Sequence, residues 1–155
     1  MSTLHCPADL VDATLAALRA AGLDGVERVV FWLGRRTPDG NADIAEVHVP
    51  EQEAAADYFR IPPESMIAFM THLRRNRLVL LAQVHSHPRE AFHSKADDQW
   101  AVVRHEDGLS IVVPYFAADV TVANFEEASV VFRLASDDRW LRVRPDELPE
   151  RLRIT

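Results

Sequence analysis

Residues 78–87, LVLLAQVHSH, form an almost unbroken apolar run that stops at Pro88. A strand with one wet face alternates apolar and polar residues; a continuous run predicts a central strand covered on both faces. Such a strand demands helices above and below it, and the rest of the chain supplies them. Residues 8–21, ADLVDATLAALRAA, set Val11, Leu15 and Leu18 on one helical stripe, with Gly22 as the expected stop. PPESMIAFMTHLRRN (62–76) opens with proline and glutamate, which suit a helix start, and carries Met66, Phe69, Met70 and Leu73 as its apolar stripe.

Strands are predicted for VERVVFWLG (26–34), ADIAEVHV (42–49), LSIVVPYF (109–116), ASVVFRLA (128–135) and WLRVR (140–144), and the stretch from Pro50 to Tyr58 reads as irregular or loosely helical. In ADIAEVHV, Ile44, Glu46 and His48 alternate with Ala45, Val47 and Val49. With a short helix beginning at Ser94, the order α-β-β-α-β-α-β-β-β predicts an α/β domain of three layers, α/β/α, around a mixed central sheet. No linker or repeat divides the 155 residues, so 1–155 is expected to be one domain. Its core would span about 4–135, with 136–155 as a hairpin strand and tail whose role the sequence leaves open.

The chemistry is concentrated in VHSHPREAFHSKADD (84–98), where three histidines and two aspartates follow the central strand. Residues two apart on a strand share a face, so His85 and His87 project into one space at its end. Pro88 cannot donate to a ladder and closes the strand there. Imidazole nitrogen is a good zinc ligand, yet in a chain with seven histidines a chance His-x-His is unremarkable, and the pair alone does not establish a metal site. Ser94-Lys95-Ala96-Asp97 is the pattern of a helix cap with an acid three residues on. Asp97 can complete a capping box, turn toward the histidines as a third ligand, or do both. Two histidines, one aspartate and a solvent position would be an open, catalytic arrangement rather than a closed structural one. Glu27, an acid beside an otherwise apolar strand, is the candidate base, against the bland alternative of a solvated residue at a strand start.

The ordered set resembles the JAMM, or MPN-plus, family of zinc-dependent isopeptidases, in its compact bacterial form. The matching segments are Glu27 through Gly34, His85-Ser86-His87-Pro88 and Ser94-Lys95-Ala96-Asp97, and the similarity covers roughly residues 4–135. This JAB/MPN fold also looks related to that of cytidine deaminases. The resemblance implies one zinc ion per chain on His85, His87 and Asp97. It further implies Glu27 as the general acid/base for the zinc-bound water, and Ser94 as hydrogen-bond donor to the oxyanion. Val29-Val30 stands where many relatives carry Cys-Gly. The loop PREAFH is one residue shorter than usual, so counting from His87 selects Asp98; counting from Ser94 through Phe-x-Ser-x-x-Asp selects Asp97, the preferred ligand. His93 is expected on the rim, within reach of substrate.

Family membership implies hydrolysis of an amide or isopeptide bond at the C-terminal tail of ubiquitin or a ubiquitin-like or sulfur-carrier protein. Such an extended tail could add as a strand to a free sheet edge. Only eleven residues separate Asp97 from Leu109, too few for the second insertion of eukaryotic deubiquitinases. A catalytically silent MPN scaffold would usually have lost a site residue. A RadC-like, DNA-associated relative would carry His-Asn-His-Pro-Ser-Gly, and a deaminase would use a Cys-x-x-Cys pair, which this chain lacks.

A formal charge of −7 argues against a nucleic-acid partner, and Arg74, Arg75 and Arg77 read as a solvated helix end. The single cysteine, Cys6, fits a reducing compartment and a small buried role. With no signal segment and no membrane-length apolar run, a cytoplasmic protein is expected, with no membrane partner. The sequence leaves the oligomeric state open.

Overall fold

The structure, a computed structural model, describes residues 2–155. The first half comprises strand β1 (Leu4–Cys6), helix α1 (Ala8–Leu23) and strands β2 (Val29–Arg36) and β3 (Ala42–His48). A small hairpin of β4 (Glu53–Ala54) and β5 (Phe59–Arg60), then α2 (Pro63–Asn76) and β6 (Val79–Ser86), complete it. The second half contains α3 (Lys95–Trp100), β7 (Leu109–Val113), α4 (Phe125–Ala128), β8 (Val130–Leu134), β9 (Trp140–Arg142), α5 (Leu148–Arg151) and β10 (Leu152–Ile154). Eight strands form one mixed sheet in the order β10-β1-β3-β2-β6-β7-β8-β9.

The apolar run at 78–87 becomes β6, held between antiparallel β2 and parallel β7. Both faces of the sheet are covered. Val11, Leu15 and Leu18 of α1 pack with Val30 and Trp32 of β2 and Val84 of β6. On the other side Phe69 and Leu73 of α2 meet Val29, Phe31 and Leu33. Burial of such side chains contributes roughly 1.5–3 kcal/mol each, enough to fix which face each strand presents. The buried indole of Trp32 donates to the Thr14 hydroxyl at 2.9 Å, and that hydroxyl donates to the Leu10 carbonyl at 2.8 Å, so neither polar group is stranded. Cys6 is fully buried, and burial, with the charge of Asp9 second, pushes its thiol up to about 12, which makes it inert.

Several sequence expectations need correction. Helix α1 does not stop at Gly22 but continues through Leu23, and Gly22 instead makes room for Phe116: a Cβ there would lie 2.5 Å from that of Phe116. The second strand starts at Val29 rather than Val26, so Glu27 precedes it in a loop. Met70 leaves the α2 stripe and is half exposed. The segment after Pro50, expected irregular or helical, contains the β4–β5 hairpin.

In β3 the alternation breaks at a bulge. Leu33 pairs with Glu46 but Gly34 pairs with Ile44, which leaves Ala45 as the extra residue. Ile44 therefore joins the α1-side core while Glu46 and His48 face α2. The final residues return to the sheet: β10 lies parallel to β1, and the Thr155 backbone N–H donates to the Cys6 carbonyl at 2.9 Å. Among the described residues no helix is long and apolar enough to cross a membrane.

Candidate metal centre

His85 is the penultimate residue of β6 and pairs with Val29 on one side and Val112 on the other, so its backbone is held by neighbours on both sides. His87 lies just past the strand, but its backbone is still fixed: its N–H donates to the Val113 carbonyl at 2.9 Å and its carbonyl accepts from Phe116 at 2.8 Å. Phe116 belongs to a turn, Tyr115–Ala117, whose three residues all have positive φ. Both imidazoles are buried, as the same-face argument requires, and their ring centroids are 5.2 Å apart. Phe59 of the hairpin packs against His85 at 5.2 Å, and the half-exposed Phe92 meets the His87 ring edge-on at 4.7 Å.

Helix α3 brings the carboxylate. Ser94 caps it: its hydroxyl accepts from the Asp97 N–H at 3.0 Å, and Asp97 Oδ2 accepts from the Ser94 N–H at 2.8 Å, a complete capping box. The same carboxylate faces the histidines, with Oδ2 3.0 Å from His87 Nε2 and Oδ1 3.2 Å from His85 Nε2. Asp98 points elsewhere, pairing with His93 Nδ1 at 2.5 Å. Of the two aspartates, it is Asp97 that the fold turns toward the pair.

Glu27 enters from the loop before β2. Its N–H donates to the Ala55 carbonyl at 2.8 Å, and Gln52 clamps the next turn of chain, accepting from Val29 N–H at 2.8 Å and donating to Val29 O at 2.9 Å. Glu27 Oε1 lies 3.9 Å from His87 Nε2, and the side chain is buried. Burial, and then the charges of Asp97 and Asp57, push its carboxyl up to about 8. Asp97 goes the other way: burial would raise it, but the imidazoles of His85 and His87 and the Ser94 N–H outweigh that and hold it well below the usual carboxylate range. Two carboxyls in one cleft with opposed proton affinities divide into an acceptor of protons near neutrality and a permanent anion.

The donor atoms of His85, His87 and Asp97 lie within 4.8 Å of one another. His85 Nε2 is 3.2 Å from Asp97 Oδ1 but outside hydrogen-bond geometry, so neither ring nitrogen of this fully buried histidine is hydrogen-bonded, and nor is Glu27 Oε2. Stranding a buried polar atom costs about 1–3 kcal/mol, so an ion that takes up the Nε2 lone pair is favoured. Two imidazoles and a carboxylate suit a divalent ion such as zinc and leave a coordination position open.

His93 corrects an expectation. Its side chain is 4% exposed, not on the rim: the ring lies between Phe132 and Trp140, and its Nε2 is 3.1 Å from the Ser110 hydroxyl. The residues that sequence reading passed over are Gln52 and Ala55, which position Glu27, and Ser86, whose hydroxyl accepts from the Arg28 N–H at 3.1 Å. The central serine of His-Ser-His was the only local signal for any of these.

The order of the motifs, the sheet and the buried cluster define a class, and comparison with known proteins agrees. The chain belongs to the family described as prokaryotic homologues of the JAB domain, whose profile matches residues 7–131. It is 34% identical over 158 residues to a probable metalloprotease, y4jG, of Sinorhizobium fredii, an alignment covering 99% of this chain and 94% of that protein. Its fold is similar to the solution structure of a protein from Desulfitobacterium hafniense, with a TM-score of 0.68 at 18% identity over 99% of this chain and 93% of that one. A Salinibacter ruber protein aligns with a TM-score of 0.57 at 20% identity, over 93% and 89% of the two chains. At those identities the two structures speak to the fold alone.

Proposed function

We propose that this protein is a zinc-dependent peptidase, an isopeptidase in the broad sense, acting on the amide bond at the C-terminal tail of a ubiquitin-like or sulfur-carrier protein. The observation that carries the reading is the convergence of Glu27 on a buried His85–His87–Asp97 cluster in which the His85 ring nitrogens make no hydrogen bond. The family and the relative described as a probable metalloprotease support the same class of chemistry.

His85, His87 and Asp97 would hold the ion. When bound, zinc supplies Lewis acidity toward a carbonyl and makes water a competent nucleophile near neutral pH. The remaining work falls to the chain. Glu27 accepts a proton at its carboxylate as water attacks and returns it to the leaving amine, a shuttle that a proton affinity tuned toward neutrality favours. The Ser94 hydroxyl accepts one bond as helix cap and keeps its own proton to donate to the developing oxyanion. Asp97 stays ionised and orients both imidazoles.

Strand addition by the substrate tail is supported at the β4–β5 hairpin rather than the main sheet, whose outer strands β10 and β9 lie away from β2 and β6. The hairpin packs Phe59 against His85, and Tyr58, Phe92 and Trp100 are partly exposed around the cleft. The test is cleavage of a fusion bearing a ubiquitin-like tail: activity should be chelator-sensitive and abolished in Glu27→Gln with zinc retained. Cleavage by Glu27→Gln at the wild-type rate would remove the base from the scheme.

A further inference from the structure

We infer that Glu46, His48 and His72 form a second divalent-metal site of the zinc, nickel or copper type, separate from the cluster on β6 and α3. The ligand atoms these residues offer lie within 4.8 Å of one another, the only such cluster besides His85–His87–Asp97 among the described residues. Two elements build it. The bulge at Ala45 turns Glu46 and His48 of β3 toward α2, which presents His72. Without that extra residue both would sit with Ile44 on the opposite face.

The details favour ligation over a simple ion pair. His72 Nε2 is 2.8 Å from Glu46 Oε2, and the His48 ring stacks on that of His72 with centroids 4.9 Å apart. An ion pair needs only one imidazole, yet a second is held alongside, with Phe69 packed against it at 5.2 Å. The other nitrogen of His72 is occupied: Asn76 Nδ2 lies 3.4 Å from Nδ1 and also donates to the His72 carbonyl at 2.9 Å. With the amide nitrogen toward Nδ1 the ring proton sits on Nε2, so ligation moves that proton to Nδ1 and turns the Asn76 amide oxygen toward it, the outer acceptor a metal-bound imidazole uses. Here Nε2 faces Glu46, where a bound ion would take the place of the shared proton. Two imidazoles and one carboxylate are borderline ligands that suit late first-row divalent ions. All three residues are partly exposed, so an ion can enter from solvent and keep water as its remaining ligands. The site closes the end of β3 onto α2 immediately before Pro50–Ala55, the segment whose Gln52 and Ala55 hold the backbone beside Glu27.

The probe is Zn2+ added to chelator-stripped protein, with bound metal counted by atomic emission after gel filtration. Co2+ absorption serves as a second readout of ligation. The wild-type chain should take up two equivalents. His48→Gln with His72→Gln should take up one, and His85→Ala with His87→Ala should also take up one. The single variant His72→Gln should weaken the second equivalent by more than about tenfold, the least that even an outer partner of a metal ligand contributes. A wild-type chain that binds one equivalent, lost in His85→Ala with His87→Ala, overturns the inference and leaves the primary site standing. One equivalent lost instead in His48→Gln with His72→Gln upholds it while removing the primary site. Retention of two equivalents by His48→Gln with His72→Gln also overturns it. That double variant changes only partly exposed side chains, so the test does not depend on the buried-histidine variants folding.

Discussion

Glu27→Gln can be read without any substrate, through the stability of the metal-free protein. Burial and the neighbouring carboxylates displace the Glu27 carboxyl from 4.5 to about 8. Between those values the folded chain keeps a proton that the unfolded chain has released, so stability falls as pH rises through that window. The full displacement would correspond to ~5 kcal/mol at ~1.36 kcal/mol per tenfold change in proton affinity. Relaxation and water penetration around the buried carboxyl reduce this to about 2 kcal/mol. Glutamine cannot ionise and should not show the loss. Urea denaturation in chelator, at pH 5 and pH 8, should therefore find the variant gaining about 2 kcal/mol on the wild type between the two. His48, His93 and His105 have proton affinities lowered by burial and contribute with the opposite sign, but they are common to both proteins and cancel in the difference. A difference that stays constant to within about 0.5 kcal/mol, the scatter of an inert substitution, refutes the claim that Glu27 is poised near neutrality.

Asp97→Asn should abolish zinc uptake at the primary cluster, whereas Asp98→Asn, whose partner is His93, should retain it; metal counting in a Glu46→Gln, His72→Gln background separates the two. Ser94→Ala removes a helix cap and should lower stability by about 1 kcal/mol in chemical denaturation. The same change should reduce kcat about a hundredfold with KM little changed, as loss of a transition-state hydrogen bond does. Thr14→Val strands the buried Trp32 indole N–H and should cost about 1–3 kcal/mol by urea denaturation while leaving zinc stoichiometry untouched.

What could be read from the sequence was what depends on near neighbours. The apolar run at 78–87, the Val11–Leu15–Leu18 stripe and the capping box at Ser94 are set by spacings of a few residues, and each stands in the fold. The bulge at Ala45 was invisible because it answers to the register of β2, where Gly34 comes so close to Asp43 that any side chain would collide with its backbone. The hairpin and β10 are short strands whose partners, not their composition, make them strands. Glu27 stood out as an acid beside apolar residues, but the loop that aims it comes from residues more than twenty positions away. His93, polar and followed by Ser94 and Lys95, looked like surface; Phe132 and Trp140 of β8 and β9 pack against it.

Asp97 serves two masters with one carboxylate: it closes the first turn of α3 and faces both imidazoles. A helix of six residues has little tendency to persist unaided. An ion held by Asp97 would therefore add to the stability of that turn, and stripping it should loosen Lys95–Trp100. Trp100, the last residue of that helix, would travel with it, so in a Trp32→Phe, Trp140→Phe background its fluorescence offers a gauge of occupancy carried by the chain itself.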